Sequence, residues 1–352
     1  MPSPLRPFAD KINLNARPDA QTEVRIWERF FGGNLPSAGS RTTYFDFYHE
    51  ELRKQPLGQR LGSQGLGQLT VNEHEALLNI ADILQAKRSD TRQETHEAVQ
   101  ALMGIDSMPD AIDRAIDLTV RVCLLIDAKR NHDPPNILRV PHGQWKDSDS
   151  LVMFVDSLFP RSTGLFDCRN NKLGLTFTVA FMVDVCGLQI VFTSRLEDHL
   201  KLVRAPGTRE LHIFPHKSCL FAMMGDPQGQ IIPRTVLEET ILSLNILFPL
   251  EDPATHKLLK RHGYNFHLEK PFDRPRLLDL LEAGHWRLRL LELYDEIYAT
   301  PPISWTQLLK DTRNPQLYWT FWLAFVIFIL TIISTLATLA QTAYAILGYY
   351  HV

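Results

Sequence analysis

Apolar side chains recur at helical spacing through several segments of the chain, the mark of faces that bury against a core. Thr22 to Phe31 reads as a short helix stopped by Gly32-Gly33. Thr70-Val71-Asn72-Glu73 has the form of a capping box ahead of Ala76, Leu77, Ile80, Ile83 and Leu84, and predicts a helix over about 71–87. Thr91 and Glu94 repeat the signature before a helix that stops at Gly104. Ser107-Met108-Pro109 then opens a helix carrying Ile112, Ile116, Val120 and Cys123.

Further along, Ser150 to Leu158 predicts a short helix, and Leu188 to Phe192 a strand whose partner is Leu211-His212-Ile213-Phe214. Glu197 to Leu202 and the turn Pro206-Gly207 lie between the two. Leu173 to Val185 fits either strand or buried helix, because a short apolar run has no diagnostic period. Helix returns after Pro233 with Val236, Leu237, Ile241, Leu244, Leu247 and Phe248 on one face. A leucine-rich helix from Pro275 through Ile297, interrupted at Gly284, closes the series before Pro301-Pro302.

The predicted fold is therefore mostly α-helical with a small β-hairpin, a minor α+β element, plus one C-terminal transmembrane helix. Three prolines in HDPPNILRVPHGQWKD break all periodicity and mark a linker. The expected division is 1–69 as tail and entry region, 70–131 as helical block, 132–149 as linker, 150–312 as helical domain with the hairpin, 318–340 as transmembrane helix and 341–352 as tail.

The membrane expectation rests on the run YWTFWLAFVIFILTIISTLATLA, Tyr318 to Ala340. No Asp, Glu, Lys or Arg follows Arg313, and a helix of this length extends ~34 Å, enough for a hydrocarbon core of ~30 Å. Trp305, Tyr318, Trp319, Trp322 and Tyr344 are the expected interface anchors, since amphipathic rings settle where hydrocarbon meets water. Lys310 and Arg313 flank only the N-terminal side, which puts the bulk of the chain in the cytosol. Post-translational insertion, as for tail-anchored proteins, follows from the C-terminal position, with the endoplasmic reticulum the favoured membrane. Ser334, Thr338 and Thr342 repeat every four residues beside Thr331 and Thr335, a stripe that permits weak homo-oligomerisation but more simply bonds back to its own helix.

Composition adds exclusions. A net charge of -3, from 37 basic and 40 acidic residues, gives no bulk attraction for nucleic acid. Cys123, Cys168, Cys186 and Cys219 form no CxxC pair and read as reduced thiols, and the N-terminus carries no secretory signal. The glycine-rich stretch Gly58 to Gly67 lacks the order of a phosphate loop, and His74-Glu75 and His96-Glu97 lack the second histidine of a zincin and read as solvated. His285, Arg287 and Arg289, with Lys257, Lys260 and Arg261 earlier, form basic patches that read as helix-surface ion pairs. No cofactor or metal set is predicted.

Three pieces resemble a family of uncharacterised single-pass membrane proteins of filamentous ascomycete fungi. They are DHLKL with LHIFPHKSCL, IIPRTVLEETILSLNILFP, and WRLRLLELYDEIYATPPISWTQLLKDTRNPQLYWTFWLAFVIFILT, within residues 173–335. The resemblance implies a fungal source and a membrane location and carries no catalytic motif. The leading expectation is thus a cytosolic interaction or scaffold domain on a membrane anchor, its partners being the lipid bilayer and unidentified proteins. A membrane-tethered enzyme with a dispersed site around Asp198, His199, His212 and His216 is the alternative. A winged-helix reading of Leu173 to Phe214 is weaker, given the near-neutral charge.

Overall fold

The computed structural model describes residues 18–33, 35–36, 38–54, 74–103, 109–128, 144–162, 173, 177–225, 230–264, 266, 284–299 and 315–350. Helix α1 (Ala20–Phe31) starts where the Asp19 carboxylate accepts the Thr22 N–H at 2.7 Å and ends at Gly32, whose φ of 69° favours glycine. Its buried face is Ile26, Trp27 and Phe31. Helix α2 (Ala38–Lys54) has no counterpart in the sequence reading, because its Tyr44, Phe45, Phe47, Tyr48 and Leu52 sit among polar residues without a clean stripe.

Helix α3 (His74–Ala86) buries Leu77, Leu78, Ile80 and Leu84. Its predicted capping box lies outside the described residues. The second box is formed: the Thr91 N–H donates to Glu94 Oε2 at 2.8 Å and the Glu94 N–H to Thr91 Oγ1 at 3.3 Å, opening α4 (Arg92–Met103). Helix α5 (Pro109–Cys123) begins on its proline as expected and is buried along most of its length.

Trp145, in the segment read as linker, is fully buried, stacked on Phe154 and covered by the Arg92 guanidinium at 4.9 Å. Helix α6 (Leu151–Leu158) follows it, capped by Ser150. The ambiguous run is helical in part, as α7 (Val179–Asp184), capped by Thr178.

Strand β1 (Gln189–Phe192) pairs with β3 (Thr208–Ile213), but in parallel, Gln189 opposite Glu210 and Phe192 opposite Ile213. The hairpin belongs instead to β2 (Leu202–Ala205) and β3, antiparallel across Pro206-Gly207, with Gly207 at φ 82°. The sequence reading missed β2 because only Leu202 of its four side chains is buried, which leaves no apolar alternation. The sheet order is β1-β3-β2.

Helices α8 (Lys217–Gly225), α9 (Arg234–Leu247), α10 (Pro253–Arg261) and α11 (Arg287–Ala299) complete the domain. No helix crosses Gly284. The backbone N–H groups of Gly284, His285 and Trp286 all donate to the Glu239 carboxylate of α9, at 2.8, 2.8 and 3.2 Å, so they are spent on an N-terminal cap for α11. A Cβ at Gly284 would stand 3.0 Å from Arg161 Nε and 3.2 Å from Glu239 Oε1, so a side chain there would make both neighbours shift. Pro275, Leu277 and Leu281 lie outside the described residues. One hydrophobic cluster runs continuously from Ile26 to Ile297, across both sides of the expected linker.

The last element is α12 (Pro315–Tyr350). Its stretch Tyr318–Leu347, 30 residues, is long and apolar enough to cross a membrane, and none of its most apolar stretch is buried in the protein. A helix of the core would instead be covered by its own fold. The helix continues past Ala340, and Tyr318 and Tyr344 stand ~39 Å apart along it, close to the ~40 Å between headgroup layers. Thr331, Thr335, Thr338 and Thr342 each donate to the carbonyl four residues earlier, at 2.8 to 2.9 Å, so these hydroxyls are satisfied within the helix. Trp305, Lys310 and Arg313 lie outside the described residues.

Candidate functional site

The four dispersed-site residues occupy distinct surroundings. His199 follows the 3-10 turn Leu196–Asp198 and is wholly buried. Its Nδ1 accepts the Phe214 N–H at 3.2 Å, so the ring proton is on Nε2, which donates to Ser243 Oγ at 2.7 Å; Ser243 in turn donates to the Thr240 carbonyl at 2.7 Å. A general base needs the opposite polarity, accepting the serine proton. This histidine and serine are therefore a structural clamp between the β3 end and α9, and burial pushes the His199 pKa down to about 3.

His216 is likewise buried, ringed by Tyr44, Phe47 and Phe214 at 6.3, 5.3 and 5.4 Å, and burial with the nearby Arg121 charge lowers its pKa to about 3. Helix α2 supplies two of these rings, Tyr44 and Phe47, as an aromatic lid over it. His212 lies in β3, half-buried, 3.7 Å from Glu210, its pKa lowered by burial. Asp198 bonds Lys201 at 3.0 Å. His74, read as solvated, is buried, its Nδ1 2.7 Å from the Tyr48 hydroxyl.

Sequence reasoning missed the polar cluster beside the same turn. Glu197 is buried, its Oε1 accepting the Asp127 N–H at 3.0 Å and its Oε2 meeting no protein group; burial raises its pKa to about 7. Arg121 of α5 donates to the Ser194 carbonyl at 2.9 Å and to Ser194 Oγ at 2.5 Å, lies over Phe47 and stands 3.7 Å from Glu51. Arg289, expected in a surface ion pair, instead donates to the carbonyls of Glu197 and His199 at 2.7 and 2.5 Å and stacks on Trp286. Lone Arg and Glu codes inside apolar stretches were the only signal available. Leu125 and Leu200 flank the cluster at φ 59° and 60°, a conformation costly for leucine, and both are held by backbone bonds, the Leu125 carbonyl to Leu196 N–H and Leu200 N–H to the His212 carbonyl. The cluster ties α5, the 3-10 turn and α11 together.

A cavity of about 270 Å³ opens elsewhere, at the end of α1. Phe31, Leu84, Cys123, Leu124, Ile232 and Leu237 make its apolar walls, while Glu28, Arg29, Asp82 and Gln230 supply polar groups. None of the four dispersed-site residues lines it. Among the described residues no cluster of three or more His, Cys, Asp or Glu side chains is placed to hold a metal ion.

The class defined at this point is a mostly helical domain with a small mixed sheet, carrying one helix long and apolar enough to span a bilayer. No protein family, curated protein or solved structure matches the chain.

Proposed function

We propose that the protein is a single-pass, C-terminally anchored membrane protein whose N-terminal bulk faces the cytosol and serves as an interaction or scaffold domain, with the endoplasmic reticulum as its favoured membrane. The carrying observation is α12: a 30-residue stretch, long and apolar enough to cross a membrane, whose most apolar window is not buried in the fold, with Leu330, Ile333 and Leu336 at 59, 57 and 60% exposure. Only lipid offers such a helix an apolar surrounding on every side. The buried cysteines Cys123, Cys186 and Cys219, none of them in a disulfide, and the Lys310 and Arg313 flank support a cytosolic domain. The clamp polarity of His199 and Ser243 favours binding work over catalysis. The sequence resemblance supports a fungal source.

Alkaline carbonate extraction of membranes tests the anchor. The protein is expected in the pellet, and Ile327→Arg with Ile332→Arg is expected to release it, since each charge near the helix centre costs about 2.5 to 3.5 kcal/mol on the insertion scale. A wild-type chain extracted by carbonate would end the proposal. Orientation is read separately: protease outside intact microsomes should digest residues 18–299, and a protected domain would reverse it.

A further inference from the structure

We infer that the outer edge of β1 is the docking site for an extended peptide with acidic flanks, which joins the three-stranded sheet there as a further strand. Such docking gives the proposed interaction domain a partner class and rests on that reading. The phase of the ladder is the first ground. The Thr193 N–H donates to the Ile213 carbonyl at 2.9 Å. Alternate residues of a parallel strand turn their N–H and C=O groups to the same side, so Gln189 and Val191 face β3 while Ile190 and Phe192 face away from it. No hydrogen bond joins the outward backbone groups of Ile190 and Phe192 to any described residue. Gln189 is exposed and the three residues after it are half-buried, so these groups look to water. An added strand answers them with its own backbone.

The contrast between the two edges of the sheet is the second ground. At the other edge, β2 is guarded by α11, whose Glu292 and Glu296 hold Arg204 at 2.5 and 3.1 Å. Strand β1 reads Gln-Ile-Val-Phe and carries no charge, proline or bulge, the devices that keep an edge from pairing. Charge is the third ground. The rings of Phe192 and of His262, the C-cap of α10, have their centres 5.2 Å apart, which brings the end of α10 beside the outward-facing end of β1. Lys257, Lys260 and Arg261 of that helix are exposed, and none has an ion-pair partner among the described residues, contrary to the surface pairs expected for them. Asp252 stands at the far end of α10, spent on the N–H groups of Ala254 and Thr255. The negative pole of the helix offsets only about half a charge. A positive field remains, and acidic flanks on the peptide complement it.

The test uses the full chain in nanodiscs of neutral lipid. The probe is a fluorescein-labelled Glu-Glu-Val-Thr-Val-Thr-Glu-Glu amide, acidic at both ends so that either strand direction is served. Its controls are the same peptide with Lys in place of every Glu, and the same peptide N-methylated through its Val-Thr-Val-Thr centre. Fluorescence anisotropy should rise saturably with the acidic probe, about 10-fold more weakly with the Lys peptide, and not at all with the N-methylated one, which cannot pair with an edge. Lys260→Glu with Arg261→Glu changes only exposed side chains and should reverse the preference between the Glu and Lys peptides. Ile190→Pro removes an outward N–H while sparing the bonds to β3, and should abolish binding of both. No saturable rise with the acidic probe in the wild type overturns the inference. So does equal binding of the N-methylated peptide, or a charge preference that survives the Lys260→Glu, Arg261→Glu reversal. Dimers that Ile190→Pro dissolves would give the edge to a second copy of the chain, and overturn it as well. The carbonate and protease results on the anchor stand whichever way this titration falls.

Discussion

Replacing Glu197 by Gln should make the protein more stable at neutral pH and leave it unchanged in acid. The carboxyl is buried, its Oε2 lacks any partner, and burial raises its pKa to about 7 against an ordinary 4.5. Between pH 4.5 and 7 the unfolded chain has released this proton while the folded chain still holds it. A raised folded pKa contributes stability that is fully present below 4.5 and is lost as pH rises through 7, with a slope near 1.4 kcal/mol per pH unit. Over that window the loss reaches about 3 kcal/mol. Glutamine has the shape of the protonated acid and keeps an oxygen to accept the Asp127 N–H, so the variant should escape the loss. The charged neighbours act in known directions: Arg121 opposes the raised pKa and Asp198 adds to it. His199 and His216, held neutral down to about pH 3, give the opposite slope below 6.5 but cancel in the difference between the two proteins. Urea unfolding of both proteins in dodecyl maltoside micelles at pH 4.5, 5.5, 6.5 and 7.5, followed by tryptophan fluorescence, measures that difference. It should grow from near zero to about 3 kcal/mol in favour of the variant. A difference that does not change with pH, or a variant less stable at pH 7.5, would refute the reasoning.

Arg92, fully buried, donates to Asp117 at 2.9 Å and to Asp113 at 3.3 Å, so Arg92→Leu should cost about 3 to 5 kcal/mol by leaving those carboxylates uncompensated, and adding Asp117→Leu should restore much of it in a double-mutant cycle. Ser243→Ala orphans the buried Nε2–H of His199 and should cost about 1 to 3 kcal/mol in urea unfolding, whereas a catalytic serine would tolerate the change without loss of stability. Thr91→Ala removes the α4 cap and should cost about 1 kcal/mol by the same measurement; no loss would show that the Asp149 and Asp147 carbonyls, which accept from Arg92 and Gln93, hold the helix start alone.

Elements with a local cause were legible in the sequence. The Thr91 box, the Pro109 start and the Gly32 stop each act within one helical turn, and all three stand where residue chemistry puts them. Helix α2 was not legible, because Tyr44 and Tyr48 are buried by partners remote in sequence: the Tyr44 hydroxyl donates to the Val122 carbonyl at 2.9 Å, and Tyr48 meets His74. Parallel pairing of β1 with β3 was hidden for the same reason, since a local turn reveals only the strands it joins, here β2 and β3. Glu197 and Arg289 were hidden more deeply. A charged code in a helical or turn segment reads as solvated until the fold shows that its partner is a backbone carbonyl or a single amide N–H.

That difference bears on where function can reside in this chain. His199, just before the histidine-bearing strand, is spent on architecture, hydrogen-bonding on both ring nitrogens; of the two histidines in LHIFPHK, His216 is enclosed by aromatic rings and His212 keeps a buried Nε2 without a hydrogen bond. A group already satisfied on every side has no valence left for a substrate. Among the described residues the buried side-chain atoms without a hydrogen-bond partner are Trp27 Nε1, His74 Nε2, Arg92 Nε and Nη1, Glu197 Oε2, His212 Nε2, Gln230 Nε2 and Trp322 Nε1, so a local motif is no guide to which buried polar groups the fold leaves unanswered.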